Sequence, residues 1–257
     1  MTAPRSFWPR EHGAYGQLAF PSLAALACGT PSWASAATIL AAVSAFLAHE
    51  PLLIVLGRRG RRALREDGTR ARRLLGIGVA LAGGFGTAAL VLAGPLRASL
   101  LPSAALAALA MVFVAANREK TLAGEVVAAA ALSSLALPVG ALAGVSVPVA
   151  AAVALVWTLG FSLATFSVRE VIRGAREPRV DWSPLPLLPS LLVTALAFAV
   201  LRVAPAASLA GAIAPFVLMA VGLAVAPPPP RHLRRVGWSL IGASVVTLAM
   251  ITVIGRA

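Results

Sequence analysis

The chain has 257 residues and a formal net charge of +13, yet only 12% of its residues are charged, against 59% hydrophobic. A mean hydropathy of +0.88 excludes a soluble domain, which has no interior large enough for that much apolar surface. It also argues against nucleic-acid binding, because the Arg and Lys residues sit in short runs between long apolar stretches rather than along one continuous cationic face.

Divided by the roughly 20 apolar residues a bilayer-crossing helix needs, the sequence predicts an all-α membrane bundle of about nine transmembrane helices in a single domain, 1–257. The expected spans run over 14–29, 33–57, 74–94, 98–116, 122–143, 147–168, 185–203, 206–226 and 236–254. Arg5 and Arg10 ahead of an apolar run, with Ala34-Ser35-Ala36 behind it, have features of a cleaved leader over 1–36. Glu11, His12 and Pro21 interrupt that pattern, so the first helix is read as retained. Cys28, the one cysteine in the chain, reads as a small buried hydrophobe. Pro21, Pro138 and Pro215 are expected to kink their helices, and Pro227 to Pro230 to end the eighth.

The connections alternate. Basic loops are expected at 58–73, 117–121, 169–184 and 227–235, on the same side as the N-terminal segment 1–13. With that side cytoplasmic, 19 of the 22 Lys and Arg residues lie inside, and Arg97, Arg202 and Arg256 fall outside. This asymmetry sets the orientation expected for a bacterial inner membrane. All nine carboxylates and all three histidines map to the same side, so any site must open inward.

Four groups of polar residues stand out. His49-Glu50-Pro51 precedes the apolar Leu52 to Leu56, which puts Glu50 about 10 Å inside the apolar end if the helix continues. A carboxylate at that depth costs about 2–3 kcal/mol unless it is paired or hydrated. The other reading ends the helix at Ala48 and lays Leu52 to Leu56 in the interface. Arg10-Glu11-His12-Gly13 opens the first helix, either as a site-facing group or as an interfacial anchor beside Trp8. Asn117-Arg118-Glu119-Lys120 joins the fourth and fifth helices, and Glu125 comes one turn later with Arg118, Lys120 or a neighbouring loop arginine as its expected partner. Arg169-Glu170 closes the sixth helix, where Glu170 and Arg173 have the spacing of a simple helical pair. No His-Glu-x-x-His, phosphate-cradling or dinucleotide motif is present. The basic stretch Arg58 to Arg73 reads as a solvated, headgroup-attracted loop, or as a source of arginines that clamp a phosphate.

Pro9-Arg10-Glu11-His12-Gly13-Ala14-Tyr15-Gly16, His49-Glu50-Pro51-Leu52 and Asn117-Arg118-Glu119-Lys120-Thr121 resemble the polar motifs of the YwiC-like family of bacterial membrane proteins. Nine helices with long inner loops, together with Trp157-Thr158-Leu159-Gly160-Phe161 leading to Val168-Arg169-Glu170, more distantly resemble UbiA-type intramembrane prenyltransferases. That second resemblance implies a UbiA-like arrangement, Mg²⁺ held against an isoprenoid diphosphate, and an inward cavity. On a transferase reading, His49, Glu50, Glu125 and Glu170 are the expected catalytic set, organising a cation or acting as base. Glu11, His12, Asn117, Arg118, Lys120 and Arg169 would then hold the substrate. The chain departs from the pattern where Mg²⁺ is bound, with His49-Glu50 in the second helix and Ser162, Arg169 and Arg173 in the sixth where aspartates are expected. Three functions are compatible with these features: a transferase acting on an isoprenoid or lipid phosphate, a non-catalytic protein binding or delivering a lipid, haem or quinone-like molecule, and a small transporter.

Overall fold

The computed structural model describes residues 7–8, 12–176, 208–225, 228–229 and 233–256, and the side chains of all these except 12, 170, 173–176, 224 and 233. Every regular element among them is helical: α1 (His12–Cys28), α2 (Trp33–Val55), α3 (Arg61–Leu92), a 3₁₀ turn (Gly94–Ser99), α4 (Leu100–Ala115), α5 (Leu122–Ser133), α6 (Ala136–Leu142), α7 (Val147–Arg176), a second 3₁₀ turn (Ala210–Ile213), α8 (Ala214–Val225) and α9 (Leu233–Ile254). The described residues hold six helical stretches long and apolar enough to cross a membrane. One of them is α5 and α6 read through their junction, Leu122–Leu142, and Ala210–Leu223 is a shorter apolar piece. The expected span 185–203 lies outside the described residues, as do Glu177 and Asp181.

Two expected basic loops prove helical over much of their described length. The stretch 58–73 turns only as far as Gly60, and α3 then runs unbroken from Arg61 to Leu92. At 1.5 Å per residue its 32 residues reach about 48 Å, well beyond a hydrocarbon core of about 30 Å, so the basic first turns project past it. Likewise α7 continues past Val168 to Arg176. No glycine or proline interrupts the sequence between Val168 and Arg173, and charged side chains in a helix outlast the apolar run that signals a span.

Burial divides the bundle. In α7, 61% of the apolar stretch is buried within the protein and in α5–α6 56%, against 6% in α3 and 11% in the 3₁₀–α4 segment. So α7 is central, while α3 and α4 turn Val79, Val91, Leu101 and Val112 outward, where lipid is the solvent. The centre is aromatic. Trp157 stacks between Phe20 and Phe161 at 5.7 and 5.3 Å between ring centroids, and Phe216 meets both Trp157 and Phe161 edge-on at 6.1 and 5.5 Å. A Cβ on Gly160 would lie 2.5 Å from the Phe216 ring. The Trp157–Phe161 stretch that resembles a prenyltransferase motif is thus accounted for by packing.

Backbone groups must be satisfied inside the bundle, because lipid offers no partners. Pro138 has no N–H to give the Ser134 carbonyl, which accepts instead from Leu137 N–H at 3.0 Å and from the Ser103 hydroxyl of α4 at 2.9 Å. The break in this span falls at Ser134–Leu135, between α5 and α6. Ser22, Thr38, Ser162 and Ser167 donate to carbonyls four residues back at 2.7–2.9 Å, which hides hydroxyls in apolar surroundings. Pro51 lies inside α2, which continues to Val55, so the reading in which this helix stops at Ala48 is set aside. Pro215 falls in the first turn of α8, where a missing N–H is harmless; it starts that helix and does not kink it.

Candidate functional site

Two helix ends build the site, and both close with the same hydrogen-bond pattern. After α2, Gly57 takes φ +72°, its N–H donates to Ile54 O at 2.9 Å, and Arg58 N–H donates to Leu53 O at 2.8 Å. After α4, Asn117 takes φ +57°, its N–H donates to Val114 O at 3.0 Å, and Arg118 N–H donates to Phe113 O at 2.8 Å. These are two Schellman turns, using the residue types that best tolerate left-handed backbone. They set an arginine immediately beyond each helix end. The Arg58 guanidinium donates to Ala115 O, the last residue of α4, at 3.0 Å, tying the two ends together at the negative pole of α4.

The α4–α5 loop is held from the other side. Thr121 caps α5, its hydroxyl oxygen accepting from Gly124 N–H at 3.2 Å. A Cβ on Gly124 would collide with the Arg118 carbonyl oxygen, so the loop lies directly over the first turn of α5.

Glu50 is almost wholly buried, with 1% of its surface exposed. Arg59 meets its carboxylate with a two-pronged contact, Nε to Oε1 at 2.9 Å and the terminal nitrogen to Oε2 at 2.5 Å. Such fork-to-fork pairing fixes both partners in direction as well as charge. Glu125 finds its partner in neither Arg118 nor Lys120: Arg169 of α7 donates to it at 2.7 Å and also to the Lys120 carbonyl. Of the expected partners, Arg118 and Lys120 are set aside, and an arginine from the neighbouring stretch expected as the loop 169–184 takes the place. Helix α7 runs far enough past the apolar span to bring Arg169 level with the loop.

Between these anchors lies a pocket of about 220 Å³ lined by Leu53, Arg58, Arg59, Asn117, Glu119 and Lys120. Of the residues picked from the sequence, Asn117 and Lys120 line it. Glu50 reaches it through Arg59, and Arg169 and Glu125 flank it through the Lys120 backbone. Arg118 is exposed beside it. His49 is part-buried, one residue before Glu50 on α2. Glu11 falls outside the described residues, as do the side chains of His12 and Glu170. Sequence reasoning did not single out Arg58, Arg59 or Glu119 individually. The usable signal for the two arginines is Gly57 at the end of an apolar run, which marks a left-handed helix stop and so sets the direction of the residues after it.

The pocket lining carries three cationic side chains and one acid, and the two acids beside it, Glu50 and Glu125, are occupied. Both oxygens of Glu50 are taken by Arg59, and one of Glu125 by Arg169. Among the described residues no three His, Cys, Asp or Glu side chains group as a metal site. Mg²⁺ with a diphosphate needs several free hard oxygens, and Glu50 and Glu125 as placed do not fit that role. A second concavity, about 550 Å³ and mainly apolar, runs between α2 and α3 past Ala48, Pro51, Leu74 and Gly78 to Trp8. Arg70 stands at its rim, 4.7 Å over the Phe7 ring. Pro51 and Leu53, two residues apart on α2, point to opposite sides of the helix, so this groove and the charged pocket are separate.

These features define a multi-pass membrane protein, helical in every regular element of its described residues, with the described acid–arginine pairs of Glu50 and Glu125 gathered at one end of the bundle. The family model described as YwiC-like protein matches residues 8–141, a segment that includes every residue lining the charged pocket, and the chain belongs to that family. No curated protein and no solved structure matches it, and the UbiA-like arrangement finds no support in these comparisons.

Proposed function

We propose that this protein sits in the bacterial cytoplasmic membrane with its N-terminus and charged end facing the cytoplasm, and that it binds a phosphate-bearing lipid or isoprenoid at the pocket between α2 and the α4–α5 loop. It holds or hands on that molecule without transforming it. The observation that carries this reading is the division of labour among charges: Arg58 and Lys120 line an open pocket, while Glu50 and Glu125, the acids best placed for acid–base work, are each spent on orienting an arginine. Arginine and lysine together suit a phosphate, the first by its fork and the second as a point charge. Asn117, held by its helix-ending turn, adds an amide to the same wall. A transferase would need those carboxylates free, and a transporter would need polar groups leading toward the other face.

Native mass spectrometry of the detergent-purified protein tests this. Titration with phosphatidylglycerol, phosphatidylethanolamine and diacylglycerol of matched chains is expected to show retention of the two phosphate-bearing lipids over diacylglycerol. The double variant R58Q/K120Q is expected to lose that preference by roughly tenfold or more, the scale of one or two charge-assisted hydrogen bonds. Diacylglycerol binding as well as the others would refute the proposal.

A further inference from the structure

The apolar groove between α2 and α3 lies apart from the charged pocket. One stripe of α3 forms its wall: Arg70, Leu74, Ile77 and Leu81 recur at spacings of four, three and four, on one face of the helix. Its floor is where the two helices come closest, since a Cβ on Gly78 would lie 2.7 Å from the Cβ of Ala48. The wall belongs to a span only 6% buried within the protein, so the groove opens to lipid. Left unfilled, an apolar cleft of about 550 Å³ loses the dispersion contacts that a hydrocarbon chain supplies.

Depth and charge say what fills it. Counting the roughly 20 residues of a hydrocarbon core back from Leu92, the end of α3, puts the edge of the core near Arg73. Arg70 and the exposed Trp8 then stand in the headgroup layer, where both residue types are favoured. From Arg70 to Leu81 is about 16 Å along the helix, the reach from the headgroups to the middle of a core of about 30 Å. That is the length of one acyl chain in one leaflet. From Gly68 to Leu92, α3 carries Arg70, Arg72 and Arg73 and no acid, and Glu66, one turn before Arg70, is taken by Arg62 at 2.7 Å. The Arg70 guanidinium lies 4.7 Å over the Phe7 ring, a contact that leaves its fork for a phosphate. We infer that this groove is a second lipid site. It takes one acyl chain of an anionic glycerophospholipid from the leaflet at the charged end, with the lipid's phosphate on Arg70.

The test is photo-crosslinking of the full-length protein in phosphatidylcholine vesicles. These contain a trace of phosphatidylglycerol or of phosphatidylcholine with a diazirine midway along one chain, and adducts are mapped by peptide mass spectrometry. On segments 44–51 and 74–81, phosphatidylglycerol is expected to give roughly fivefold more adduct than phosphatidylcholine, the effect of one basic side chain at a membrane surface. On α4, whose Leu109 and Val112 point outward, the two lipids are expected to label alike. Arg70→Gln is expected to bring the groove down to the α4 ratio, whereas R58Q/K120Q leaves the groove ratio unchanged. The comparison of the two lipids on the wild-type protein needs no variant, so it decides the matter even if Arg70→Gln fails to fold. Equal labelling of the groove by both lipids, a preference that survives in Arg70→Gln, or a groove without adducts because protein covers it, overturns the inference and leaves the pocket reading standing. So does a groove preference that disappears in R58Q/K120Q, since the phosphate contact would then belong to the pocket. A groove preference that persists while the purified protein fails to discriminate phosphatidylethanolamine from diacylglycerol removes the pocket reading and leaves this one.

Discussion

The two ends of the bundle solve one problem in opposite ways. Where α1, α2, α6 and α9 meet, the helix ends are closed with small neutral groups. Ser32 and Ser35 cap α2 reciprocally at 3.1 and 2.9 Å, the Ser32 hydroxyl donates to Leu142 O at 2.7 Å, and Thr30 N–H donates to Ala143 O at 2.8 Å. Gly29 packs so tightly on Ala143 that a Cβ there would lie 2.5 Å from its carbonyl oxygen. Arg256, reaching the Ala27 carbonyl at 2.6 Å, is the one charged side chain described in these contacts. At the other end, α2 and α4 finish in left-handed turns that present Arg58 and Arg118, and the carboxylates of Glu50 and Glu125 are paired with Arg59 and Arg169. Helix ends need closing on both sides of a membrane protein, and serines and glycines suffice. Arginines and acids in excess of that need set apart the end at which binding is proposed.

The largest effect that would break this comparison lies at Glu50. Replacing it by Leu leaves Arg59 without its partner and is expected to lower stability by about 3 kcal/mol, read as a fall in thermal unfolding temperature in detergent. The double variant E50L/R59L is expected to recover most of the loss, since removing both members of a buried pair is far milder than removing one. No recovery would mean that Glu50 is held by something other than Arg59. Next comes Gly160→Ala in the aromatic centre, expected to cost about 2 kcal/mol by overpacking against Phe216. It lies far from the pocket, and lipid binding per folded molecule should be unchanged. Ser32→Ala removes the cap at the quiet end and is expected to cost about 1 kcal/mol, again with no change in lipid binding; loss of binding there would erase the contrast between the ends. The smallest effect is expected for Glu125→Gln. Its pair with Arg169 leaves both side chains about a third exposed or more, so the loss should stay under about 1 kcal/mol by double-mutant cycle.

Much of this was legible in the sequence, for particular reasons. The apolar runs gave helices and their order because a bilayer imposes a minimum length, and the described spans fall where those runs do. Glu50 was conspicuous because a carboxylate so near Leu52 to Leu56 has to be satisfied. Its partner was not legible: Arg59 lies nine residues further along the chain, and only the left-handed turn at Gly57 brings the two together. Arg169 was placed at the close of the sixth span, but its pairing with Glu125 depends on α7 continuing as a helix into polar sequence, where apolar periodicity gives no signal. Glu119 looked like one more charge in a basic loop. Its burial comes from the loop folding back over Gly124, a contact that no local pattern announces.

Sidedness is the claim on which the rest stands, and cysteine labelling in whole cells addresses it directly. With Cys28 replaced by Ala, single cysteines at Arg72 and Thr121 of the charged end and at Ser99 of the quiet end would be probed with a membrane-impermeant maleimide. The account predicts labelling of the Ser99 position in intact cells, and of the Arg72 and Thr121 positions only after permeabilisation. Labelling of Arg72 or Thr121 in intact cells would place the pocket outside the cell and contradict it.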